Sequence, residues 1–169
     1  AGGARRRGEI GPGGRVSGGT PGDGPPVGSC GSGRIGSLAE LLQHGIIDRT
    51  GKFTRGRDRF TLTGGDRAVY LDGGDLDSLK LAKAAVAAGA RVLLGRAGID
   101  AGALSRLFLA GAFGTYIDVA HAKRIGMRPG IPPGRVVKVG NASVEGAAMV
   151  LLSGETRAQA ERIAGEITH

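Results

Sequence analysis

The stretch Leu109-Ala110-Gly111-Ala112-Phe113-Gly114-Thr115-Tyr116-Ile117-Asp118 decides the reading of the fold. Its apolar entry, Leu107 to Ala110, has the length and character of a short buried strand. The strand breaks at the glycine turn Gly111 to Gly114, and a helix from Asp118 to Ile125 follows, with Asp118 as its own cap. Open α/β sheets bind ligands just outside the carboxyl ends of such strands. A compact turn with no ligand satisfies the same residues, and both readings stand at this point.

Outward from that stretch the same grammar recurs. Downstream, after the turn at Pro132-Pro133, Arg135 to Val139 reads as a strand. Gly140-Asn141 then leads into an Ala-rich helix to Leu152, with Asn141 as its cap. Glu155 to Ile167 closes the chain as an amphipathic helix. Upstream, Leu76 to Ala97 is rich in Ala, Leu and Lys and should form the longest helix, ended by Gly98. Leu79, Ala82, Val86, Ala90 and Leu93 share one face of it, the face expected to pack. Asp72, Asp75 and Asp77 stand at its start, where capping and the helix dipole explain acidic residues without a magnesium site.

Arg59 to Thr63 and Ala68 to Leu71 read as a hairpin set off by Gly64-Gly65 and Gly73-Gly74. Before them, Ile35, Leu38, Ala39, Leu41 and Leu42 recur at helical spacing from Gly33 until Gly45 supplies a stop. That helix starts on the turn Gly28-Ser29-Cys30-Gly31-Ser32-Gly33. Glycines let a backbone approach a phosphate closely, and the free amides of a helix start favour an anion. Ser32 adds a hydroxyl donor. Strands alternating with helices predict an α/β domain with helices packed on a sheet.

Composition narrows the function classes. The chain has 169 residues, enough for one domain with a core, but 34 glycines and only 4% aromatic residues require that core to be built from small aliphatic side chains. No apolar run approaches the ~20 residues of a membrane helix, and Ala1 to Gly14 has no secretory-type apolar stretch, which predicts a cytoplasmic protein. The single Cys30 cannot close an internal disulfide or, alone, hold a cluster or a zinc ion; packing of a small side chain at the turn is its plainer role. His44 and His121 have no partner at metal-ligand spacing, and His44 suits a helix C-terminus. The net charge of +8 admits a nucleic-acid protein. Against it, there are no aromatic stacking clusters beside the basic residues and no helix-turn-helix or zinc-finger spacing is visible, so an Arg-rich solvated surface accounts for the charge. Neither a dinucleotide fingerprint nor a Walker-type phosphate loop occurs.

Five segments in the same order resemble one family: "GSCGSGRIGSL" from Gly28 to Leu38, "AELLQHGIIDRTGKF" from Ala39 to Phe53, "LKLAKAAVAAGARVLL" from Leu79 to Leu94, "LAGAFGTYID" from Leu109 to Asp118, and "VGNASVEGAAMVLLS" from Val139 to Ser153. They resemble the C-terminal actin-like (ASKHA) ATPase domain of reductive activators of corrinoid proteins, over Gly28 to the C-terminus. The resemblance implies half of an actin-like, ribonuclease H-like ATPase domain, a mixed sheet flanked by helices. It divides the chain into a Gly/Pro-rich, poorly ordered segment, 1–27, and a nucleotide-binding domain, 28–169. It also implies ATP with Mg2+ as the bound nucleotide, hydrolysed to drive an electron from a two-iron ferredoxin domain onto a cobalt(II) corrinoid. The ferredoxin cysteines and the Asp-containing phosphate hairpin of the first ATPase half are absent, so the resemblance makes this chain a C-terminal fragment. No catalytic residue is assigned within it.

By the same resemblance the cofactor-binding residues are Gly28, Cys30, Gly31, Ser32 and Gly33, facing phosphates, then Gly111, Ala112, Phe113 and Gly114 near the adenosine, with Gly140 and Asn141. The implied partner is a corrinoid protein or a corrinoid methyltransferase component, with a homodimer left open and no membrane. Thr115 stands where the family usually carries Asn, and Asp72-Gly73-Gly74-Asp75 replaces a Gln- and Lys-containing entry to the long helix. Two other classes compete: a non-enzymatic interaction module, and a basic nucleic-acid-binding protein.

Overall fold

A computed structural model describes residues 4–5, 9–10, 16–17, 28–63, 68–128 and 130–167. The Gly64-Gly65 end of the expected hairpin and most of the 1–27 segment lie outside the described residues. In chain order the elements are β1 (Ala4–Arg5), β2 (Glu9–Ile10), β3 (Val16–Ser17), β4 (Gly28–Ser29), α1 (Gly31–Gln43), β5 (Arg59–Thr63), β6 (Val69–Asp72) and α2 (Gly73–Arg96). They continue with β7 (Leu107–Leu109), α3 (Gly111–Tyr116), α4 (Val119–Arg124), β8 (Val136–Lys138), α5 (Ala142–Leu152) and α6 (Gly154–Glu166). The architecture is α/β, as the alternation predicts. The described strands pair two by two: β1 with β4 and β7 with β8 in parallel, β2 with β3 and β5 with β6 antiparallel.

The core forms around α1. Ile35, Leu38, Ala39 and Leu41 are buried together with Ile10, Ile47, Phe60, Leu62, Leu71, Leu76, Ile117 and Ile125. Complete burial of each large aliphatic side chain stabilises by about 1.5–3 kcal/mol. The hairpin alternates as its sequence requires: Phe60 and Leu62 of β5 and Leu71 of β6 face the core. On the outer face Arg59 lies over the Tyr70 ring at 5.6 Å, a cation–π pair across the strands.

Helices α1, α2 and α4 end alike. In each a glycine with positive φ follows the cap residue: Gly45 at 63°, Gly98 at 63° and Gly126 at 70°. The next amide reaches back to the last full turn, Ile46 to Leu41 O, Ile99 to Leu94 O and Met127 to Ala122 O. This is the Schellman arrangement, and a side chain with a Cβ is strained in that conformation. The stops expected at Gly45 and Gly98 are therefore present. At the other end of α2, Asp72 and Asp75 form a reciprocal capping box, the capping role expected of these acids.

Glu40 is the buried hinge of the packing. Its Oε2 accepts from the Ile10 amide at 3.2 Å. Its Oε1 lies 3.1 Å from His121 Nε2 and 3.4 Å from an Arg124 nitrogen on α4. His44, at the C-cap of α1, approaches the same carboxylate at 3.7 Å.

Three expectations are corrected by the structure. The residues read as a glycine turn, 111–114, wind into the short helix α3 (Gly111–Tyr116). β7 is not a buried strand, because Phe108 is 58% exposed. The shared face of α2 is covered only near its start, at Leu76 and Leu79, while Val86 and Leu93 are exposed. The last two reflect missing cover: no described element buries Phe108 or the far end of α2.

Candidate functional site

The three glycine-bearing segments converge. β7 and β8 run parallel in register from Leu107 beside Val136 to Leu109 beside Lys138. Their carboxyl ends therefore open on the same side, and the Val139 amide donates to Leu109 O at 3.0 Å. Beyond the strands the Gly111 amide donates to Gly140 O at 2.7 Å, which clamps the second and third segments together. Gly111 has φ of +84° and Gly140 of +66°. The first segment meets the second at Gly31, where an added Cβ would lie 3.2 Å from the Phe113 ring.

Each expected residue has a place in this arrangement. Gly28 belongs to β4 beside Ala4, and a methyl group there would meet no atom of the described residues within 4 Å. Cys30 is the N-cap of α1, Gly31 opens the helix, and Ser32 and Gly33 are buried in its first turn. Gly111 and Ala112 form the first turn of α3, and Phe113 presents an exposed ring over Gly31. Gly114 is packed so closely that a Cβ would lie 3.1 Å from the Leu109 carbonyl carbon. Thr115 donates its hydroxyl to Gly111 O at 3.0 Å, closing α3 internally. Asn141 accepts from the Val144 amide at 3.4 Å, the capping role read from the sequence.

The electrostatics of the first turn favour negative charge. No acidic side chain stands in the first turn of α1. Burial raises the Cys30 thiol, but the Ser32 hydroxyl and the amides of Gly33 and Ser32 outweigh it and hold the thiol below its ordinary value. The Cys30 Sγ to Ser32 Oγ distance is 3.2 Å. A field that stabilises a thiolate at a helix start also suits another anion, a phosphate included. The turn is thus polarised to suit an anion.

Three supporting residues carry no signal in the glycine motifs. Arg34 donates from Nε to Ser29 Oγ at 3.1 Å and from an end nitrogen to Asp75 at 3.0 Å, joining the turn to the capping box of α2. Lys138 donates to the Thr115 and Ile117 carbonyls at 3.1 and 2.7 Å, holding the end of α3. Glu40 anchors α1 from below. The one sequence signal for it is a charged residue inside the apolar run Leu38 to Leu42. Among the described residues no group of three or more His, Cys, Asp or Glu side chains is placed to hold a metal ion. No described helix is long and apolar enough to cross a membrane.

A family model described as the C-terminal domain of RACo, the ASKHA domain, matches residues 3–169. The corrinoid activation enzyme RamQ of Eubacterium limosum is 32% identical over 167 residues, covering 85% of this chain and 28% of that protein. A [Co(II) methylated amine-specific corrinoid protein] reductase of Methanosarcina barkeri is 29% identical over 142 residues, 84% of this chain and 25% of that protein. A solved reductive activator for corrinoid, iron-sulfur protein superposes with a TM-score of 0.89 at 37% identity, covering 99% of this chain and 30% of that one. The chain therefore spans under a third of the length of each of these relatives.

Proposed function

The chain belongs to the family of the C-terminal ASKHA domain of RACo, and from that premise we propose that it is the nucleotide-binding C-terminal part of an ATP-dependent reductive activator of a corrinoid protein. The observation that carries the reading is the meeting of the Gly31 and Phe113 turns beside the Gly111–Gly140 clamp. The first turn of α1, with Cys30, Gly31, Ser32 and Gly33, faces the phosphates of ATP with its Mg2+. Phe113, with Gly111, Ala112 and Gly114, lies along the adenosine, and Gly140 and Asn141 close the third side. Gly28 only lets the chain enter the turn.

The role of these residues is to bind and orient. ATP supplies the free energy of hydrolysis; the α1 amides and the Ser32 hydroxyl hold its phosphates by charge-assisted hydrogen bonds. Arg34, ion-paired to Asp75, is a positioning residue for that turn. The electron donor, a two-iron cluster, and the carboxylate for hydrolysis belong to other parts of the protein, and the acceptor is the cobalt(II) corrinoid of its partner. The proteins that resemble this chain act on corrinoid proteins by their names, which supports the partner class.

Three measurements test the reading. In the intact native protein, ATP with Mg2+ slows alkylation of Cys30, followed on its own peptide by mass spectrometry, and Gly31→Val weakens nucleotide binding at least tenfold by driving a branched side chain against Phe113. Under anaerobic, reducing conditions the protein hydrolyses ATP in response to its corrinoid partner. Unprotected Cys30 at saturating ATP, or no hydrolysis with the partner present, overturns the proposal.

A further inference from the structure

Further along α1 lies a second concave site. A cavity of about 450 Å³ opens between α1, the loop after it, α2 and the end of α4. Its α1 wall is made by Leu38 and Leu42, seven and eleven residues beyond Gly31, which places it about 10–16 Å along the helix from the phosphate turn. Clefts of about 300–1,000 Å³ with apolar walls and a few convergent polar groups are the usual small-molecule sites.

The walls divide by chemistry. Leu38, Leu42 and Ile47 give an apolar floor, and Arg49, Lys80, Lys83 and Arg124 give a cationic rim. Two of the four cations are compensated: Lys80 lies 2.6 Å from Asp77 and Arg124 3.4 Å from Glu40. Lys83 donates to the Ile125 carbonyl at 2.8 Å. Neither Lys83 nor Arg49 forms an ion pair among the described residues. The carboxylate in the lining, Asp48, is turned into its own loop. Its Oδ1 accepts from the Thr50 hydroxyl at 2.6 Å and from the amides of Thr50 and Lys52 at 2.8 and 3.0 Å. Two positive charges therefore line the cavity without a carboxylate paired to them among the described residues.

The shape is fixed by the backbone. Gly51 has φ of +76°, and a Cβ on it would lie 2.6 Å from Lys80 Cδ. Only glycine lets the Lys80 stem lie across the loop, with its ammonium 3.4 Å from the Thr50 carbonyl. Lys83 alone is explained by its place at the C-terminal end of α4, where a cation is favoured. That account covers neither Arg49 nor the apolar floor.

We infer that this cavity binds a small organic anion, its phosphate or carboxylate set against Lys83 and Arg49 and its apolar body against Leu38, Leu42 and Ile47. The site is distinct from the three turns and does not rest on the nucleotide reading. Calorimetric titration of phenyl phosphate into the intact native protein, without and with excess ADP, tests it. Saturable binding is expected, tighter than that of inorganic phosphate and at least tenfold weaker in both Lys83→Gln and Arg49→Gln. Arg49 is exposed, so a loss in Arg49→Gln with an unchanged unfolding temperature reports the site and not the fold. Absence of saturable heat, displacement by ADP, no advantage over inorganic phosphate, or an affinity in either variant unchanged from that of the native protein overturns the inference.

Discussion

Helices α1 and α5 make opposite use of similar side chains. α1, Gly31–Gln43, carries serines, a glutamate and an arginine, yet nearly everything from Ser32 to Leu41 is buried. α5, Ala142–Leu152, is the more apolar sequence, and none of its residues is buried. Leu151 is 76% exposed and Leu152 85%. Burial in this chain is set by which elements have something to pack on, and hydrophobicity alone does not decide it. An apolar face of this kind marks a surface made for contact, and Leu93 of α2 and Phe108 of β7 are exposed as well.

The largest test of that contrast is a pair of truncations. In the 169-residue chain, Leu41→Ala should lower stability by about 2–5 kcal/mol, whereas Leu152→Ala should stay within about 0.5 kcal/mol of the parent. Urea unfolding midpoints measure both, and equal losses would mean that α5 is packed against something. A smaller effect tests how the buried half is wired. Glu40→Ala strips an acceptor from the Ile10 amide and from the α4 side chains, with an expected cost of about 1–3 kcal/mol in thermal unfolding. Glu40→Gln, which keeps an acceptor oxygen, should lose less, and a neutral Glu40→Ala would break the picture of a carboxylate that holds β2 and α4 to α1.

The smallest expected effect lies at the border between the two halves. Asp118 accepts from the Ala120 and His121 amides at 2.8 and 3.0 Å, and Asp118→Ala should cost about 1 kcal/mol. Burial raises its carboxyl, but the His121 amide and charge, the Ala120 amide and the Lys138 charge together hold it below the usual value. A depressed folded-state value contributes stability that is complete above the unfolded-state value, about 4, and is lost as pH falls through the folded one. The gap between wild type and Asp118→Ala should thus be flat from neutral pH to about 5 and close in stronger acid. A gap that stays constant down to pH 2 would remove the carboxylate from the explanation.

What the sequence made legible was local. The caps at Asp72, Asp118 and Asn141, the hairpin, and the glycine stops at Gly45 and Gly98 all depend on neighbours a few residues away. The Gly111 to Tyr116 segment was not legible as a helix because its two glycines disfavour one. Its first amide is fixed instead by Gly140 O, a contact made across the strand pair. The site's supports were hidden for the same reason. Arg34 meets Asp75 across 41 residues and Glu40 meets His121 across 81, and no periodicity encodes such pairs. The exposure of α2 beyond Leu79 escaped too, because an amphipathic pattern names a face without naming what lies opposite it.

The Arg34 bridge from Ser29 to Asp75 has a mechanical consequence. It couples the glycine turn to the root of α2, a helix of 24 residues and hence about 36 Å long. Leu76 and Leu79 seat that root in the core, and the far end stands clear of it. A tilt of about 5° at the root would sweep the tip through about 3 Å, given that length. A shift too small to notice at the glycine turn would thus arrive, tens of ångströms away, as a displacement that a docked neighbour could feel.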